Sequence, residues 1–120
     1  MTPARSAAPH FVVDTHRSGR TELVQVRGEV DIATAPLLRA VLDTVVGRRP
    51  ARVEVDLSGA TFMDAHALTT LTAVRRRLAS RHATLVVRDP SPAVVRLLEL
   101  SGTEQAFEIV TGSTEVRRAG

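Results

Sequence analysis

The chain is predicted to be an α/β protein, with a mixed β-sheet that begins in an antiparallel hairpin and carries its helices packed on the sheet. Three observations predict it. The stretch 53–78, VEVDLSGATFMDAHALTTLTAVRRRL, changes within about eight residues from a repeat of two to a repeat of 3.6. Strand-to-helix passages of the same kind occur before and after it, at 21–46 and 83–101. Ahead of them, two short strand patterns are joined by Arg17-Ser18-Gly19-Arg20, whose Ser-Gly supplies a hairpin turn. Successive strand–helix–strand units with right-handed crossovers lay helices against a sheet.

Residues 1–10, MTPARSAAPH, hold two Pro among small and polar side chains and read as a disordered N-terminal segment. The domain then spans 11–111, and 112–120 reads as a flexible C-terminal tail or a short terminal helix. Phe11 to His16 and Thr21 to Arg27 are the hairpin strands, and Gly28 lets the chain leave the second of them. Thr34 is placed to cap the first helix, with Pro36 in its first turn, where a missing N–H costs little. Leu38, Val41, Leu42 and Val45 recur at helical spacing to about Val46, and Gly47 supplies the stop.

Val53, Val55 and Leu57 alternate with Glu54 and Asp56 as a strand requires, and Ser58-Gly59 breaks the run. Asp64 opens the second helix: its carboxylate suits both the free amides and the positive end of the dipole. Ala67, Leu68, Leu71, Val74 and Leu78 form its buried stripe, while His66, Thr69, Thr70, Ala73, Arg76 and Arg77 fall on the polar side. The helix ends near Ser80. Residues 83–88, ATLVVR, are a short apolar strand of the type covered on both faces. Ser91 and Pro92 start a third helix with Val94, Leu97 and Leu98 inward and Gly102 at its end, and a last strand runs near 107–110.

Composition narrows the function. With 120 residues and 43% hydrophobic content the chain supports one core, built from Val, Leu, Ile and Ala because only three Phe and no Trp or Tyr are present. A net charge of +3 without aromatic platforms argues against direct nucleic-acid binding. Arg75-Arg76-Arg77 reads as a solvated face, since successive helix residues point in different directions. The absence of Cys removes disulfides, thiolate metal sites and cysteine nucleophiles. No secretory signal and no apolar run near the roughly 20 residues of a membrane span are visible, so a cytoplasmic protein without membrane insertion is expected. Nucleophile-elbow, phosphate-loop and dinucleotide motifs are missing, which predicts a non-enzyme with no cofactor and no metal.

Helix starts in such a sheet lie at the carboxyl ends of the strands, so the GEVD turn at 28–31 and the FMDAHAL turn at 62–68 should emerge on one edge. Asp64 is a cap, either alone or together with a partner contact. His66 has no second His or Cys at ligand spacing and reads as a surface side chain at the positive end of the helix dipole, which disfavours its protonated form. Glu29 and Asp31 are two carboxylates without further oxygens in register, weak grounds for a cation site. Thr69 and Thr70 offer hydroxyls for a substitute phosphorylation site, but on the polar side of a helix solvation is the ordinary fate.

Three segments, VRGEVDIATAPLL, VEVDLSGATFMDAHALTTL and DPSPAVVRLLELSG, resemble in sequence and order the STAS domain of bacterial anti-sigma factor antagonists. The resemblance covers about residues 11–110. It implies a cytoplasmic protein that binds an anti-sigma factor, typically a serine kinase, and so frees a sigma factor for transcription. It also implies that Asp31, Asp64, His66, Thr69 and Thr70 belong to the partner-binding surface. Where the family reads Asp-Ser-Ser-Gly or Asp-Ser-Thr-Gly, this chain has Asp64-Ala65-His66-Ala67, so His66 stands at the family's phosphoacceptor position and offers no hydroxyl. Two other expectations follow from the same residues: a STAS accessory subunit of a transporter or multi-protein sensor, and a phosphotransfer intermediate that uses His66 itself.

Overall fold

The computed structural model describes residues 3–112. Its elements run β1 (Arg5–Ala8), β2 (Phe11–Ser18), β3 (Thr21–Val30), α1 (Ala35–Gly47), β4 (Arg52–Met63), α2 (Ala65–Ala79), β5 (Thr84–Arg88), α3 (Pro92–Ser101) and β6 (Glu108–Val110), with a 3₁₀ turn at Glu104–Ala106 before β6. The six strands form one sheet in sequence order, antiparallel from β1 to β3 and parallel from β3 to β6. Each helix connects two parallel neighbours, so right-handed crossovers place all three on one face. The core agrees: Val13, Val24, Val26, Val53, Val55, Leu85 and Val87 from the strands join Leu38, Leu42, Leu71, Val74, Val94 and Leu98 from the helices.

The predicted mixed α/β architecture is therefore present, with four local corrections. The N-terminal segment is not disordered where it is described: Arg5–Ala8 pairs antiparallel with Phe11–Asp14. Its sequence has no strand period, but the Ala4 N–H donates to Thr15 Oγ1 and the Thr15 N–H to the Ala4 carbonyl, which pin it as an edge strand. Gly28 does not end β3. At φ +95° it admits the His10 carbonyl so closely that an added Cβ would lie 2.0 Å from its oxygen, and the strand continues to Val30.

Ser58-Gly59 likewise does not break β4. The register against β3 shifts between Gln25 and Arg27 and again between Gly28 and Glu29. Each shift gives β4 one extra residue, as a bulge does, so the buried positions run Leu57, Ala60, Met63 rather than every second residue. Asp56 Oδ1 accepts from the Ser58 N–H and hydroxyl and holds the first bulge. Finally, Gly47 is the last residue of α1 and not the stop beyond it, and the left-handed residue that follows the helix is Arg49 at φ +56°.

The signals of the hairpin turn and of α3 hold. Gly19 at φ +61° turns the hairpin, Ser91 and Pro92 open α3, and left-handed Gly102 closes it. The Ser91 hydroxyl accepts from the Val94 N–H and donates to the Ala60 carbonyl, tying α3 to the bulged part of β4. Leu97 is partly buried against the core and Phe107 fully so. Residues 113–120 of the expected tail lie outside the described residues.

Candidate functional site

The GEVD turn and the start of α2 stand side by side at the carboxyl end of the sheet. Glu29 pairs with Phe62 and Val30 with Met63, and the Asp64 N–H donates to the Val30 carbonyl at 3.2 Å. Asp64 leaves the strand in an extended conformation, and its Oδ1 accepts from the His66 N–H at 3.0 Å, the cap expected from the sequence. Its Oδ2 lies 3.4 Å from His66 Nδ1, so a protonated Nδ1 donates to the same carboxylate. The His66 side chain remains 54% exposed.

On the neighbouring turn, Asp31 Oδ1 accepts from the Ala33 N–H at 2.9 Å and the Thr34 N–H at 3.1 Å. These bonds favour the charged form, and the Thr34 amide is the main cause that holds the Asp31 carboxyl below its ordinary value of 3.8. Thr34 sits at the N-cap of α1 but does not cap it through its side chain. Its hydroxyl instead donates to the Glu29 carbonyl at 2.8 Å and accepts from the Asp31 N–H at 2.9 Å, which fixes the shape of the GEVD turn.

Between the two turns lies a groove of about 430 Å³ lined by Ile32, Ala35, Pro36, Arg39, His66, Thr69 and Thr70. His66 and Thr69 are on its exposed rim, as the helical pattern predicts. Thr70 is not. It is only 7% exposed, because it stands at the border of the α2 stripe and α1 packs beside it, making it part of the groove wall. Thr69 donates its hydroxyl to the Ala65 carbonyl one turn back.

Sequence reasoning missed the apolar part of this edge. Ile32 is 67% exposed and Phe62 49%, both large apolar side chains next to the two acidic residues. Their signal was available: each is an apolar residue beside a helix start and outside any helix stripe, Ile32 in a turn and Phe62 at the end of β4. Of the two, Ile32 lines the groove, and exposed apolar surface rimmed by polar residues marks a contact with another molecule. Among the described residues, no three His, Cys, Asp or Glu gather as a metal site would require. No helix among them is long and apolar enough to cross a membrane.

Comparison with known proteins agrees with this geometry. A family model described as Mlab, STAS domain matches residues 13–111. A STAS-domain containing protein of Pseudomonas aeruginosa is 31% identical over 91 residues, covering 76% of this chain and 89% of that protein. An anti-sigma-B factor antagonist of Listeria monocytogenes is 29% identical over 84 residues, covering 70% of this chain and 74% of that one. The crystal structure of an anti-sigma factor antagonist from Mycobacterium paratuberculosis matches with a TM-score of 0.80 at 25% identity, over 95% of this chain and 96% of that one. A six-stranded sheet with its helices on one face, two helix-start turns on one edge and a matching family model over most of the length lead to one assignment: the chain belongs to the STAS domain family.

Proposed function

We propose that this protein is an anti-sigma factor antagonist that acts by binding, not catalysis. It docks on an anti-sigma factor of the serine kinase type and thereby releases a sigma factor for transcription. The observation that carries this reading is the groove between the GEVD turn and the start of α2, rimmed by His66 and Thr69 and walled by Thr70, with Asp31 and Asp64 in the adjoining turns. Its likeness to the antagonists of Listeria and Mycobacterium supports it.

His66 occupies the place of the family's phosphoacceptor in this reading. Phosphorylation at a helix start would bring a charge of about −2 and reorganise a contacting surface. A Ser/Thr kinase finds no hydroxyl on His66, so docking here is constitutive with respect to that switch. The test is co-elution of the purified chain with the serine-kinase anti-sigma factors of its own genome, with and without ATP. A complex that survives ATP is expected, and His66→Ser should make the complex release when ATP is added. Absence of any complex overturns the proposal.

The missing hydroxyl also favours a second reading, in which the same surface sits permanently on another protein as an accessory subunit of a transporter or sensor. Affinity capture from native cells separates the two by what is retained: an anti-sigma factor, or the subunits of such an assembly.

A further inference from the structure

The charge of this small protein is unevenly placed. Between residues 35–49 and 65–82, the spans of α1 and α2 with their C-terminal turns, stand seven Arg and a single acid, Asp43. The rest of the chain carries twelve acids against nine Arg. Two of the seven are turned to structural tasks: Arg75 lies over the Phe107 ring at 5.8 Å, and Arg48 reaches Glu22. The others remain on or near the outer surface of the helical layer.

These charges continue the groove. Arg39 lines the groove and also approaches Asp43 Oδ1 at 3.4 Å, and Arg77 from α2 meets the same oxygen. One carboxylate therefore joins two guanidinium groups across the α1–α2 seam and neutralises only one of them. Along α2 the outward positions run His66, Thr69, Arg76, so Arg76 is exposed on the same side two turns beyond the rim. Arg81 follows, donating to the Val46 carbonyl of α1 at 3.0 Å while staying exposed. An apolar groove thus opens onto a basic track.

We infer that the segment docking here is a protein segment with an apolar anchor followed by acidic side chains, the anchor entering between Ile32 and Pro36 and the carboxylates lying along Arg39, Arg77 and Arg76. This rests on the docking function proposed above and adds the chemistry of the partner. Charge complementarity favours an acidic occupant, and long-range attraction raises its rate of encounter. A protein fits better than an anionic bilayer. The apolar tips that would enter a membrane, Ile32 and Phe62, are flanked by Asp31 and Asp64, which an anionic headgroup layer repels, and the opening is a groove and not a protrusion.

The experiment measures association kinetics between the full chain and each serine-kinase anti-sigma factor of its genome at about 50 and 300 mM salt, between which the screening length falls about 2.5-fold. The variants are Arg76→Glu, Arg77→Glu, Ile32→Asp and, as a control on α3, Arg96→Glu. The expected result is an on-rate that falls with salt and falls about tenfold in Arg76→Glu, with Ile32→Asp abolishing binding and Arg96→Glu leaving it unchanged. If Ile32→Asp abolishes binding while salt and the Arg76 and Arg77 reversals do nothing, the docking function stands and the acidic segment is refuted. If no anti-sigma factor binds, both fall. Sedimentation with phosphatidylglycerol vesicles that depends on Arg76 and Arg77 would assign the track to a membrane instead and overturn the inference. The salt series on the unaltered protein reads the same effect should a reversal fail to fold.

Discussion

The two ends of the sheet solve opposite problems. At the amino ends of the parallel strands, Glu22 is 0% exposed on the core side of β3, and it is met by Arg17 at 2.8 Å and Arg48 at 3.5 Å. At the carboxyl ends, Ile32 and Phe62 stand in solvent beside Asp31 and Asp64. One end buries a charge and closes around it, while the other exposes apolar surface and stays open. Burying a carboxylate costs free energy unless partners satisfy it, and exposing apolar area forgoes burial worth roughly 25 cal/mol per Å². The first arrangement holds position within the fold. The second makes sense as a surface kept for another molecule.

The largest effect should come from breaking the closed end. Replacing both Arg17 and Arg48 by Ala leaves Glu22 without its ion-pair partners, and removing a partner from a buried pair costs about 3–5 kcal/mol. The midpoint of urea denaturation should fall accordingly. A drop below about 1 kcal/mol would show that Glu22 is not held by these two side chains. Next comes the cap at the open end: Asp64→Ala should cost about 1 kcal/mol, read in the same titration, because the first turn of α2 loses its acceptor. Asp64→Asn should recover much of it.

Smaller still is the acid response of the GEVD turn. Asp31 has a lowered folded value, so its stabilising contribution is present above pH about 4 and is lost as pH falls through that lowered value. Asp31→Asn should therefore lose less stability than the parent over this acid range, measured by thermal melting at stepped pH. An equal loss in both would mean that the amide bonds to Asp31 do not persist in solution. The smallest change in stability should be Ile32→Ser, within about 0.5 kcal/mol, because so exposed a side chain has little packing to lose. If the open end is a docking surface, that nearly silent substitution weakens partner capture more than any stabilising residue does.

Much of this architecture was legible because local chemistry agreed with the fold. Ser91-Pro92 and Gly102 bracket α3, Asp64 caps α2, and the alternation at Val53, Val55 and Leu57 places β4 in the core. What was not legible depends on neighbours distant in sequence. Arg5–Ala8 has no strand signature and becomes one only by pairing with β2. Thr70 looks solvated on a helical wheel until α1 lies beside it. Glu22 shares the parity of Val24 and Val26, so the strand period itself placed a carboxylate in the core, although its two Arg partners come from positions 17 and 48. At the site, Asp31, Asp64 and His66 emerged from motifs, whereas the groove emerged only from the approach of α1 to α2.

The paired irregularities of β4 carry a consequence for how such a surface diversifies. Each bulge carries one residue more than β3 opposes, so removing one residue from 58–61 would close a bulge and restore the plain alternation, with Met63 still on the core side but the extra bend and twist of the strand lost. Single-residue deletions in this short span would thus tilt the start of α2 against the GEVD turn without altering one amino acid at that edge. Relatives with the same side chains there would in this way present them at a different angle.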